Sequence, residues 1–205
     1  MDARSEILSR IRSAVSGAAA PQSKALASER TPKDVLEQFV DYARDYKAEV
    51  HVVESSDLKR KIESVAQTGC VIPTDFPTEL IPQGSIPDTN LSAHELDQIP
   101  GVLTLAAVAI AETGTVVLDH GPGQGRRAIS LVPDHHISIV YEHQIVATVP
   151  EAVERLAPSI REGCPLTFIS GPSATSDIEL VRVEGVHGPR KLDIIVVLNP
   201  DKAVR

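Results

Sequence analysis

Apolar positions recur along this chain with two periods, and the alternation between them predicts its elements. Residues 4 to 16 place Ile7, Leu8, Ile11 and Val15 at helical spacing, with Arg4, Arg10 and Arg12 off the stripe. Gly17 to Arg30, rich in Ala, Ser and Gln, is a linker, so this helix packs back on its own domain or docks on a partner. Thr31-Pro32-Lys33-Asp34 is a helix start, with a capping hydroxyl, Pro at the first helical position and an acid at the positive end of the dipole. Val35, Leu36, Phe39, Val40, Ala43 and Tyr46 hold the period to about residue 47. Glu49 to Val53, Ser56 to Gln67 and Gly69 to Ile72 then follow as strand, helix and strand, the order of a parallel pair with a right-handed crossover.

Residues 73 to 90, with four prolines, form a long surface connection, and Ser92 with Glu95 starts a short helix. Val102 to Ile110 is apolar on both parities, as a strand buried on both faces should be. Thr115 to Leu118, Ala128 to Val132 and Ile137 to Tyr141 are further strands, followed by a helix at Pro150 to Leu156 and strands at Leu166 to Ser170 and Leu192 to Leu198. The expectation is an α/β fold, a mainly parallel sheet flanked by helices, divided into an N-terminal helix and linker (1–30) and one α/β domain (31–205).

Composition narrows the class. Aromatics make up 3% of the 205 residues and Trp is absent, so the core is built from Val, Ile, Leu and Ala. A net charge of −8 disfavours nucleic acid and anionic membranes as partners. No apolar run reaches the roughly 18 residues of a membrane span, and the charged N-terminus is unlike a signal sequence, so a cytoplasmic location is expected. Cys70 and Cys164 are lone residues, which argues against an iron–sulfur cluster or structural zinc held by this chain.

Four segments carry candidate chemistry. In Glu112-Thr113-Gly114-Thr115 a carboxylate beside hydroxyls can serve as general base or nucleophile, or simply end a strand. Asp119 to Arg127 sets His120, Gly121, Gly123 and Gly125 before Arg126 and Arg127. The order is neither a Walker loop nor a dinucleotide fingerprint, and backbone N–H groups with Arg126 offer anion capture. Ser170-Gly171-Pro172-Ser173 runs on to Asp177 and Glu179, a hydroxyl cluster expected at the C-terminal edge of the sheet. Finally, His187, Gly188 and Arg190 join a sterically open proton carrier to a group that fixes carboxylate or phosphate. These loops are expected to meet at one rim of the sheet around a small carboxylate or phosphate. His135 and His136, adjacent on a strand, point to opposite faces, and no metal site is assigned.

Taken in order, A-E-T-G-T-V-V-L, the Gly-rich loop with V-P-D-H-H, S-G-P-S-A-T-S-D-I-E and G-V-H-G-P-R resemble the lactate utilization protein C family, the LUD domain, from about Leu103 to the C-terminus. The resemblance implies a fold similar to the ribose-phosphate isomerase, glucosamine-phosphate deaminase and CoA-transferase group. It also implies an accessory role beside two iron–sulfur partner proteins that oxidise L-lactate to pyruvate. Glu112-Thr113-Gly114 looks like the Glu-x-Gly pattern of some CoA transferases, which gives the alternative of acyl or CoA transfer through Glu112. A regulatory or scaffolding domain is the third possibility.

Overall fold

Thr31 caps the helix that opens the domain: its side chain accepts from the Asp34 amide while Asp34 returns a bond to the Thr31 amide, as the sequence predicts. In this computed structural model the described residues are 3–16, 31–66, 69–175, 183–184 and 188–198. In chain order they form α1 (Ala3–Val15), α2 (Pro32–Asp45), β1 (Glu49–Glu54), α3 (Leu58–Val65), β2 (Val71–Ile72), β3 (Ile86–Pro87), α4 (Ala93–Asp97), β4 (Gly101–Leu105) and β5 (Val108–Ile110). Then come β6 (Thr115–Leu118), β7 (His135–Tyr141), β8 (Ile145–Val146), α5 (Val149–Arg161), β9 (Thr167–Ile169), β10 (Ala174–Thr175), β11 (Val183–Glu184) and β12 (Lys191–Leu198).

The central sheet has the order β1-β12-β7-β4-β2-β3 and every neighbouring pair is parallel. A second sheet, β8-β5-β6-β9, is mixed, and β10 pairs with β11 alone. Alternation along β12 divides the core. Leu192, Ile194 and Val196 pack against Phe39 and Ala43 of α2, and Ile195 and Val197 join Leu103, Ile137 and Ile139 beneath Leu58 and Ile62 of α3. Each such aliphatic side chain removed from water contributes about 1.5–3 kcal/mol.

Two strand expectations are corrected. Val102 to Ile110 is two strands in different sheets. The chain crosses at Ala106, whose amide bonds Ile139 O, and Ala107, whose amide bonds Val117 O. Both halves are buried on both faces, so a hydropathy pattern cannot mark the crossing. Ala128 to Val132 is no strand: Arg127–Ser130 is a 3₁₀ turn whose apolar character reflects the fully buried Ile129. The pair β1 and β2 is parallel within one sheet, yet β12, β7 and β4 lie between them. The stripe of α1 stays exposed, Ile7 at 58% and Ile11 at 52%. No helix among the described residues is long and apolar enough to cross a membrane.

Candidate functional site

Strand β7 begins with adjacent histidines, and the pleat sends them to opposite faces of the central sheet. On the α2 face His136 is buried, and its Nε2 shares a 2.8 Å hydrogen bond with Thr104 Oγ1. Burial, followed by the neighbouring His135, pushes its pKa down to about 3, so the ring is neutral. His136 Nδ1 and Ser138 Oγ, two residues on along the same face, are buried without a hydrogen-bond partner. Leaving such a group unpaired costs about 1–3 kcal/mol.

His136 lines a cavity of about 270 Å³ with Ser130, Thr167, Ser170, Ser173 and Gly188. This cavity joins the two segments that carry most of the sequence signal. The Ser173 amide donates to Pro189 O at 2.8 Å, and a Cβ on Gly188 would touch the Ser173 side chain at 3.5 Å. Behind Ser170 runs a chain of hydroxyls, Ser170 Oγ to Thr115 Oγ1 at 2.7 Å and Thr113 Oγ1 to Thr115 Oγ1 at 2.8 Å. His120 supports the wall. Its Nδ1–H donates to Gly125 O at 2.8 Å, so in the neutral ring Nε2 accepts from Thr167 Oγ1 at 2.9 Å. The wall is hydroxyl-rich and uncharged, and no Asp, Glu, Lys or Arg lines the cavity among the described residues.

The other predicted groups lie elsewhere. The exposed Glu112 carboxylate accepts from the Val149 amide at 2.7 Å and so caps α5, outside the cavity. Arg126 grips Asp88 through Nε at 2.7 Å and Nη2 at 2.9 Å, and also bonds Leu91 O. That guanidinium holds the Asp88 carboxyl below its usual range. Arg190 forks onto Asp134, its Nε at 3.0 Å. Both arginines expected to hold an anion are therefore engaged with carboxylates. Asp177, Glu179 and His187 lie outside the described residues.

The glycines pack rather than cradle. A Cβ on Gly114 would lie 2.4 Å from Ala43 N and one on Gly171 2.3 Å from Tyr46 O, so both let the end of α2 settle onto these segments. Gly123 abuts Leu105, and Gly125 abuts Ile129 and Pro73. Gly121 stays within its own loop, where its amide bonds Asp119 Oδ1. The cavity follows the C-terminal end of β9 but lies at the N-terminal ends of β7 and β12, not at the C-terminal edge of the central sheet.

On the α3 face of the same edge is a second polar cluster. Asp193, 1% exposed, accepts from His51 Nε2 at 2.7 Å through Oδ1, and from His135 Nε2 at 2.6 Å and Lys191 Nζ at 3.0 Å through Oδ2. Burial raises its pKa, yet these three bonds hold the carboxyl well below the usual range. Sequence reasoning singled out neither Asp193 nor Thr104; the available signal was one polar residue inside an otherwise apolar buried strand.

Comparisons with known proteins agree with the motif order. The LUD domain model matches residues 36–197. Lactate utilization protein C of Deinococcus radiodurans is 46% identical over 206 residues, covering 96% of this chain and 96% of that protein. The protein of that name from Shouchella clausii is 38% identical over 114 residues, 54% of this chain and 49% of its own length. A crystal structure of a DUF162 family protein from Deinococcus radiodurans superposes with a TM-score of 0.73 at 42% identity, covering 82% of this chain and 99% of that one.

Proposed function

This chain belongs to the LUD domain family, and from its place there we propose that it serves lactate utilization by binding a small carboxylate in the cavity beside His136. The carrying observation is the unpaired, buried Nδ1 of a neutral histidine where S-G-P-S meets G-P-R. A neutral imidazole, fixed through Nε2 by Thr104, offers a hydrogen bond without the cost of burying a second charge. Ser170, whose Oγ can accept from Thr115 Oγ1 and keep its own proton, supplies a hydroxyl donor for a carboxylate oxygen, and 270 Å³ suits a molecule of a few heavy atoms.

On this reading the chain is a non-redox, cytoplasmic accessory subunit, kin to the ribose-phosphate isomerase and CoA-transferase fold group, and the electrons pass to iron–sulfur partner proteins. Cys70 supports that division: it is buried in the core, and burial pushes its thiol up to about 12, far from the thiolate a metal requires. Calorimetric titration with L-lactate and pyruvate tests the cavity. Binding weakened about tenfold by His136→Gln, on the scale of a lost hydrogen bond, is the expected result. A deletion strain that fails on lactate, and co-purification of cysteine-rich partners, support the wider role. Absence of binding to either acid, together with normal growth of the deletion strain on lactate, removes this reading.

A further inference from the structure

We propose that Glu49, His51 and Asp193 bind a divalent transition-metal ion at the N-terminal edge of the central sheet, on the face away from the cavity. Glu49 and Asp193 are register partners in the parallel pair β1–β12, so their side chains leave the sheet on the same side. His51, two residues along, shares that side. One ligand atom from each of the three lies within 4.8 Å of the others. An imidazole nitrogen with two carboxylates suits Zn²⁺, Mn²⁺ or Fe²⁺ rather than the all-oxygen shell of Mg²⁺ or Ca²⁺, and three protein ligands leave positions for water.

The supporting shell is already built. Asp193 would give Oδ1 to the ion, while Oδ2 keeps its bond to His135, which fixes the carboxylate from behind. Gly101, the register partner of His135 in β4, lets the two backbones lie close there: a Cβ would lie 3.0 Å from His135 O. The ion replaces the proton that now links His51 Nε2 to Asp193 Oδ1 across 2.7 Å. The two ligand atoms then spread to roughly 3.3 Å, the separation set by tetrahedral bonds of about 2.0–2.1 Å. His51 and the exposed Glu49 can make that adjustment from the open side.

Fold maintenance alone does not account for the cluster. Further along the same face β12 carries Ile195 and Val197, and a buried carboxylate ringed by nitrogen donors is rarely more stabilising than aliphatic packing. The site shares no residue with the cavity, so its fate is independent of the lactate reading.

The test uses the full chain, stripped with a chelator and titrated with Zn²⁺, Mn²⁺ and Mg²⁺ by calorimetry, with Co²⁺ absorption as a second readout. Expected is one Zn²⁺ per chain at micromolar affinity or tighter, weakened at least tenfold by His51→Ala and by Glu49→Gln, with Mg²⁺ far weaker. Lys191→Met, which removes a competing positive charge, should tighten binding several-fold, whereas His94→Ala should change nothing. If His51→Ala fails to fold, Glu49→Gln at its exposed position and Lys191→Met still decide the matter. Zn²⁺ affinity no tighter than millimolar, or affinity indifferent to both Glu49→Gln and Lys191→Met, overturns the proposal.

Discussion

Gly114 has φ +58° and a missing Cβ that would lie 2.4 Å from Ala43 N and 2.5 Å from Tyr42 C, so backbone meets backbone there and neither can yield cheaply. Gly69 has φ +90° but nothing within 4 Å of its absent Cβ. The contrast separates conformational strain from collision. Gly69→Ala should cost about 1 kcal/mol, the expense of a left-handed alanine, and Gly114→Ala about 2–4 kcal/mol, because overpacking adds to it. Urea unfolding of the two variants measures the difference, and equal losses would show that α2 does not rest on Gly114 as described. Gly114 and Gly171 thus serve the approach of α2.

At the level of elements, the first turn of α5 shows how a motif residue finds structural employment. Its N-terminal donors are met by Thr148, whose hydroxyl accepts from the Glu151 amide, and by Glu112, which takes the Val149 amide, while Glu151 reaches back to the Ala147 amide. Glu112→Ala should therefore lower stability by about 0.5–1 kcal/mol and leave growth on lactate intact. Growth loss equal to that of a deletion would assign the carboxylate to chemistry instead. Helices with capping signals were the most legible elements: Thr31 with Asp34, and Ser92 with Glu95, form the boxes their spacing announces. Strand boundaries inside apolar runs were not legible, since Val102 to Ile110 is equally hydrophobic on both sides of its crossing between sheets.

For the molecule as a whole, the parallel α/β architecture was readable from alternating elements and an aliphatic core, and two of the four motif segments meet at Ser170, Ser173 and Gly188 while Glu112 and Arg126 lie outside that cavity. What could not be read was pairing across space: that Asp88 would claim Arg126 and Asp134 would claim Arg190, or that β7 would separate two polar clusters. Global stability should report one of them. The folded-state pKa of His136, about 3, lies below its ordinary 6.5. The unfolded chain therefore binds the extra proton between those values, and stability is full above about pH 6.5 and falls as pH drops towards 3. The limiting slope is about 1.4 kcal/mol per pH unit. Urea midpoints between pH 7 and 4.5 should flatten in His136→Gln; an unchanged slope would place the titrating group elsewhere. Asp193 does not confuse this window, because a carboxyl held low contributes stability that is lost only below the ordinary carboxylate range.

Since His135 and His136 are consecutive in β7, a single peptide link separates the two chemistries, and both depend on the strand keeping its frame. Sliding β7 by one residue along its neighbours would send each ring to the opposite face of the sheet; the slip that brings His136 to the place of His135, beside the Asp193 carboxylate, puts Ile137 in its former berth. Shortening or lengthening the turn before Asp134 by one residue is therefore a way to lose two functions with one edit, whereas the same edit in the proline-rich stretch of residues 73–90 should spare them.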